Sequence, residues 1–338
     1  MRLVVAHSRL NTFGGGERAL LKLLQYLSAR HSVALWTSGY QPEATYPELA
    51  TFPHRILHTF EWFTATPNAD AVIALTFGAR LLALRHPRTL CYIHTMRSRY
   101  LIGGARPDLA TRRLLDRTAI QCAARLFTNS AYTAGSIMRA YQREAVVLAP
   151  GVDDMFFSLP PSLGRYALSV GRLAPEKGIE RLLRWSSTLP IELIVAGAGD
   201  SAYTAHLRKI AGPRTRFAGP LTGAALYDLY AGCRYLAFLP YAEEFGLVAL
   251  EAMAAGKPVI AIRDGALPEL VVDNETGLLV ANEAEFIAAS TRLIADDALC
   301  LRLGQHARET ARTFTWERFT SGIELAFQEL MNGQQSMR

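Results

Sequence analysis

Four charged side chains sit in patterns that suit chemistry on a phosphorylated, sugar-bearing molecule. Arg172 and Lys177 bracket a proline-containing turn in SVGRLAPEKG (169–178), which reads as strand, loop and helix, with Gly171 at the strand end. A planar guanidinium and a point-charge ammonium at one helix entry suit a diphosphate; the competing reading is two solvated surface charges. Glu243 and Glu251 lie eight residues apart in EEFGLVALEAMAAGKP (243–258), which follows the apolar strand YLAFLPY. A helix starting near Phe245 and Gly246 leaves Glu243 in the turn. It carries Glu251 about 9 Å along its axis. That is about the span from a diphosphate at the helix amides to a nucleotide's ribose, where a carboxylate accepts from both hydroxyls. Leu247, Leu250, Ala254 and Ala255 surround Glu251 with apolar character, so its carboxylate needs a partner.

Three weaker signals accompany these. Gly14, Gly15 and Gly16 join the first strand to a helix, where bare amides attract an anion and backbone can approach a ligand; a simple tight turn is the alternative. VAGAGDSA (195–202) matches G-x-G-x-x-A after a strand, a dinucleotide signature, but the acid expected about 20 residues on is missing. His94 ends the strand TLCYIHT, at an edge where a histidine can hydrogen-bond a substrate. Arg97, Arg99 and Tyr100 follow it. Six arginines fall within 97–117 against Asp108 and Asp116, a stretch fit for an anionic or membrane-bound acceptor or for a solvated helix face.

An alternation of short apolar strands with amphipathic helices must position these groups. Six strands are expected in the first half (3–8, 31–38, 70–75, 89–95, 124–130 and 145–150) and six in the second, beginning with YALSVGR. Strands without in/out alternation, linked by helices, imply parallel sheets covered on both faces. The pattern pauses at LPPSLG (159–164), which suggests a boundary there. The expected architecture is α/β: two doubly wound Rossmann-like domains across a cleft, 1–162 and 163–314. A final helix over 315–338 packs back on the first.

The 338-residue chain is 50% hydrophobic and 20% charged, enough apolar material for two cores. No apolar stretch reaches the roughly 20 residues of a membrane span, and MRLVVAHSRL is too short a run for a secretory signal. Cys91, Cys122, Cys233 and Cys300 are scattered, which fits a reducing cytoplasm and argues against zinc. Residues 1–160 carry 18 Lys+Arg against 10 Asp+Glu, whereas 161–338 carry 18 against 20. The basic half implies an anionic partner.

Together GGGER, LAPGVD (148–153), GRLAPEKG, VAGAGD and above all E-x7-E resemble the retaining GT-B glycosyltransferases of family 4, in the right order across nearly the whole chain. The resemblance implies a nucleotide-sugar donor on the second domain, an acceptor mostly on the first, and no metal or other cofactor. It gives Arg172 and Lys177 the donor diphosphate and Glu251 the ribose. Glu243, with the amides of Phe245, Gly246 and Leu247, takes the transferred sugar. It sets Gly15 and Gly16 against the phosphates, His94 beside the reacting sugar, and Gly219 and Leu221 near the base. The acceptor would attack on the leaving-group face, with a donor phosphate as base.

YIHTMRSRY is similar to a block of mannosyl-transferring members, with Met96 in place of proline, which leans the donor from UDP-sugars in general toward GDP-mannose. Gly265, Ala266, Leu267, Pro268 and Glu269 stand where a double glycine is common. The expected protein is therefore a cytoplasmic enzyme of polysaccharide biosynthesis. It would act on a glycan or lipid-linked acceptor, with peripheral membrane contact through its basic domain and no nucleic acid. The rival readings are a nucleotide-sugar epimerase or NAD-type oxidoreductase on the same scaffold, and a binding module without turnover.

Overall fold

A computed structural model describes residues 1–96, 107–160 and 162–335. The chain forms two units, Met1–Pro150 with Trp316–Arg338, and Gly151–Thr315. The first holds strands β1 (Arg2–Ala6), β2 (Ser32–Thr37), β3 (His54–Ile56), β4 (Ala71–Ala74), β5 (Thr89–Ile93), β6 (Arg125–Thr128) and β7 (Val146–Val147). They pair in parallel in the order β3-β2-β1-β4-β5-β6-β7. The second unit holds β8 (Tyr166–Val170), β9 (Glu192–Ala196), β10 (Thr215–Gly219), β11 (Cys233–Phe238), β12 (Val259–Ile262) and β13 (Gly277–Val280). Their order is β10-β9-β8-β11-β12-β13, again parallel.

Each order reverses once, between β1 and β4 and between β8 and β11. At such a switch point the loops leave toward opposite faces and open a crevice beyond the carboxyl strand ends. The loops after β1, β8 and β11 are those that carry the glycine run, Arg172 with Lys177, and Glu243.

Strand burial follows the expectation for covered parallel sheets. Leu3, Val5, Leu35, Ile73, Leu90 and Tyr92 face one side of the first sheet. Val4, Ala6, Val72, Ala74, Cys91 and Ile93 face the other. The first side packs on Leu20, Leu23, Leu24 and Leu27 of the helix Gly15–Ser28. It also packs on Phe319, Ile323 and Phe327 of the last helix, Trp316–Gln335. Glu324 of that helix accepts from Tyr26 at 2.9 Å and bonds His31 at 2.8 Å.

Two details differ from the sequence reading. Strand β3 adds a seventh strand to the first sheet; its three residues are all exposed at the edge, so no apolar run announces it. The unit boundary falls at Pro150, not at 162. The stretch after Pro150 is fastened to the second unit: Arg308 donates to the Leu159 carbonyl at 2.9 Å, and buried Lys257 donates to Ser162 O and Oγ at 2.8 and 3.0 Å. Proline composition marks a connector but carries no information about which unit it adheres to.

Candidate functional site

The turn at the end of β8 is held from two sides. Gly171 N–H donates to Ala196 O and Leu173 N–H to Ala198 O, at 3.0 and 2.8 Å, so the GRLAPEKG and VAGAGD loops run bonded side by side. A Cβ on Gly197 would lie 1.8 Å from Gly171 O, and one on Gly199 2.0 Å from Leu173 O. These glycines admit a neighbouring strand of backbone. Asp200 caps the following helix, accepting from the Ala202 and Tyr203 amides at 3.0 and 3.1 Å. The dinucleotide-like motif is thus consumed by the fold.

On the other side, Tyr241 N–H donates to Glu176 O at 2.9 Å, which ties the turn to the end of β11. Lys177 Nζ then reaches Glu243 Oε2 at 2.8 Å, with both side chains mostly shielded (22% and 15% exposed). The Glu243 backbone has its own support: Ala266 N–H donates to Glu243 O at 2.7 Å, and Asp264 accepts from the Ala242 and Gly265 amides at 2.7 and 2.8 Å. A Cβ on Gly265 would stand 2.2 Å from Glu243 O, so only glycine fits there. The loop that departs from a double glycine keeps the one glycine that contacts Glu243. Arg172 turns outward, 58% exposed, and pairs with Glu176 at 3.2 Å. The structure therefore joins Lys177 to Glu243 directly and leaves Arg172 at the solvent edge of the same turn.

The helix after β11 runs Leu247–Ala254 and is led by Gly246, whose φ is 99°. It starts one residue later than the sequence suggests. Its N-cap is a glycine, so no N-cap side chain occupies its first amides, and Glu243 stands just upstream in the sequence. Phe245 is buried and packs 6.1 Å from Phe314, while Leu247 is half-buried. Glu251 is 5% exposed, and the partner its environment demands is Tyr230, whose Oη donates to Oε2 at 2.8 Å. Gly219, the last residue of β10, accepts from Gly197 N–H at 2.7 Å, and Gly219 and Leu221 just past the strand are both half-buried.

In the first unit, the helix Gly15–Ser28 begins at the glycine run without a side-chain cap. Gly15 is exposed, and a Cβ on Gly16 would come 3.9 Å from His94 Cδ2. Glu17 folds back and accepts from Thr12 Oγ1 at 2.6 Å, bracing the loop. His94 is the first residue past β5; Asn129 donates to its carbonyl at 2.9 Å and Tyr92 packs on its ring. Its Nε2 is enclosed without a protein partner, as is His7 Nδ1 at the end of β1. Burial, reinforced by His7 and Arg80, pulls the His94 pKa down to about 3, so the ring is neutral at physiological pH. Burial also lowers that of His7, against the opposing pull of Glu17 and the Arg9 backbone.

Arg97, Arg99 and Tyr100 lie outside the described residues. Downstream, Asp116 is not on a solvated face: it is 1% exposed and bonds Arg80 at 3.3 Å and Tyr141. Arg113 and Arg117 point outward, so this helix face is more basic than a count of its charges suggests. Among the described residues no group of three His, Cys, Asp or Glu side chains converges as a metal-ligand set, and no helix is long and apolar enough to cross a membrane.

Residues 153–310 match the family model described as Glycosyl transferases group 1, and residues 13–156 that described as Glycosyltransferase Family 4. A D-inositol 3-phosphate glycosyltransferase of Saccharomonospora viridis is 30% identical over 362 residues, 97% of this chain and 80% of its own. The chain belongs to the group 1 (family 4) glycosyltransferases. Proteins of the same name from Streptomyces bingchenggensis and Corynebacterium efficiens are 30% and 29% identical, over 73% and 66% of this chain. The matched stretch spans 62% and 60% of those two relatives. The GT-B fold of the family recurs in solved structures. The Anabaena protein HepE, solved with UDP and glucose, superposes with a TM-score of 0.82 at 19% identity, over 97% of this chain and 99% of its own. Sucrose-phosphate synthase from Thermosynechococcus elongatus gives 0.81 at 20%, over 98% and 100%.

Within this family member, the sequence pointed to Lys177, Glu243 and Glu251 but not to what holds them. Tyr230 reads as an ordinary helix residue, and Asp264 and Gly265 as a turn. His7 carries a signal only in hindsight, as a polar group at the carboxyl end of a buried strand.

Proposed function

We propose that this protein is a retaining, metal-independent glycosyltransferase that moves a hexosyl group from a UDP- or GDP-sugar to an anionic acceptor. The observation that carries the reading is the Lys177–Glu243 pair beside the uncapped Leu247–Ala254 helix at the switch point of the second sheet. A cation, a carboxylate and helix amides there meet the needs of a diphosphate bearing a sugar. Lys177 and Arg172 neutralise the charge that builds on the departing diphosphate. Glu243 and the amides of Phe245, Gly246 and Leu247 take sugar hydroxyls, Glu251 takes the ribose diol, and the segment at Gly219 and Leu221 lies toward the base.

In the reaction, the C1–O bond to the diphosphate breaks and a bond from the acceptor oxygen to C1 forms on the same face. The acceptor's proton passes to a donor phosphate oxygen, so no protein nucleophile is required. On the first unit, the Gly15–Gly16 turn and the neutral His94 ring, whose Cδ2 lies 3.9 Å from where a Cβ on Gly16 would stand, form a polar surface at the carboxyl end of the sheet. The basic balance of this half suits a phosphate-bearing or lipid-linked glycan acceptor. Relatives named for inositol 3-phosphate support an acceptor of that charge. The UDP complexes of HepE weight the donor toward uridine, while the HTMRSRY segment weights it toward GDP-mannose. Four free cysteines support a cytoplasmic setting, with contact at the membrane face through the basic unit.

A thermal-shift screen of UDP, GDP, ADP, their sugars and NAD tests this reading. A ligand of the folded state at 100 times its Kd stabilises by about 2.7 kcal/mol. A uridine or guanosine diphosphate is expected to raise Tm. A rise with NAD alone would instead support an oxidoreductase.

A further inference from the structure

The Glu251–Tyr230 contact goes further than a satisfied buried acid. Glu251 stands in an apolar helix, and Tyr230 Oη donates to its Oε2 at 2.8 Å, a better contact than the 3.4 Å to Val248 O. Tyr230 is fully enclosed at the end of the helix Gly223–Gly232. Phe156, from the turn Asp154–Ser158, packs edge-on against its ring with centroids 5.2 Å apart. The last torsion of a glutamate is broad and roughly two-fold, so the side chain does not set the plane of its own carboxylate. Gripping two adjacent hydroxyls requires that plane to be set, and a rigid phenol on one oxygen sets it.

We propose that Tyr230, clamped by Phe156, is a positioning residue that orients Glu251 toward a ribose diol and thereby creates a preference for ribonucleotide over deoxyribonucleotide donors. The inference rests on the reading of Glu251 as the ribose partner. The aromatic clamp, the helix and the carboxylate all belong to the second unit, which Gly151–Thr315 builds by itself. Tyr230→Phe removes only the hydroxyl and keeps the ring against Phe156.

Calorimetry with UDP and GDP, each against its 2′,3′-dideoxy counterpart, provides the test. Wild type is expected to favour the ribonucleotide by about 10- to 100-fold, the range for hydrogen bonds to a charged group. Glu251→Ala should erase that ratio. Tyr230→Phe should cut it several-fold while leaving affinity for the dideoxy compound nearly unchanged. Phe156→Leu, which loosens the ring and keeps the hydroxyl, should lower the ratio by a smaller factor. A wild-type ratio near one overturns the ribose role of Glu251 and the inference with it. A ratio erased in Glu251→Ala but intact in Tyr230→Phe and Phe156→Leu overturns the role of Tyr230 alone. Equal weakening of both nucleotides by Tyr230→Phe reduces Tyr230 to packing and also overturns it.

Discussion

Replacing Lys177 separates two roles that the structure superimposes on one amine. At 2.8 Å and an effective dielectric constant of ~20, the gross attraction to Glu243 is about 6 kcal/mol. Both groups have lost most of their hydration, and that loss offsets much of the gain, leaving a net of about 1–3 kcal/mol for a charge-assisted hydrogen bond. Lys177→Ala strands the Glu243 carboxylate and should lower stability by this amount, about 2–4 °C in Tm per kcal/mol for a unit of this size. Lys177→Ala/Glu243→Gln removes the stranded charge, so most of that loss should return. Turnover should behave differently. If Lys177 meets the departing diphosphate, the single variant loses about 10²-fold, and the double variant recovers none of it. Release of nucleoside diphosphate from the donor found in the ligand screen measures the rate, and thermal unfolding measures the stability. Recovery of turnover in parallel with stability would show that Lys177 acts only by neutralising the Glu243 charge, and the diphosphate role would be wrong.

Other expectations concern the first unit, the metal question and the glycine turn. His94 has its folded pKa depressed below the 6.5 of an unfolded chain, so the unfolded state binds more protons. Its contribution to stability is present above pH 6.5 and is lost at about 1.4 kcal/mol per unit as pH falls toward 3. NMR titration should show the His94 ring neutral down to pH 5, and a midpoint near 6.5 would contradict its enclosure. Full turnover is expected after dialysis against EDTA; strict dependence on added Mg²⁺ would refute the metal-independent reaction. Gly197→Ala should destabilise by several kcal/mol, because the Gly171 carbonyl occupies the space its Cβ needs. A folded Gly197→Ala protein with wild-type Tm would mean that the loop crossing is not rigid.

The doubly wound α/β plan was legible because a parallel strand covered on both faces must be apolar at successive positions, as in AVIA of β4 and VIAI of β12. Strand β3 was not, since three exposed edge residues have no such pattern. Lys177, Glu243 and Glu251 stood out by charge against turn or apolar surroundings. Their supports did not: Asp264, Gly265 and Tyr230 act across 22, 22 and 21 residues of sequence, through contacts that no local spacing encodes. The G-x-G-x-x-A turn shows the converse, a local pattern shared by two uses.

What the sequence by itself determined is the alternation of elements, the unequal charge of the two halves and the residue types at the carboxyl strand ends. Burial periodicity and composition are properties of the chain, readable without its partners. Only the tertiary structure decided that the connector after Pro150 belongs to the second unit and that Lys177 pairs with Glu243 while Arg172 faces water. It also decided that Asp116 is buried against Arg80 rather than balancing surface arginines, and that Glu251 has a phenol for company. Each of these is a choice of partner for a charge or a polar group. Such choices are made by desolvation and by distances across the fold, and both arise only when segments remote in sequence are brought together.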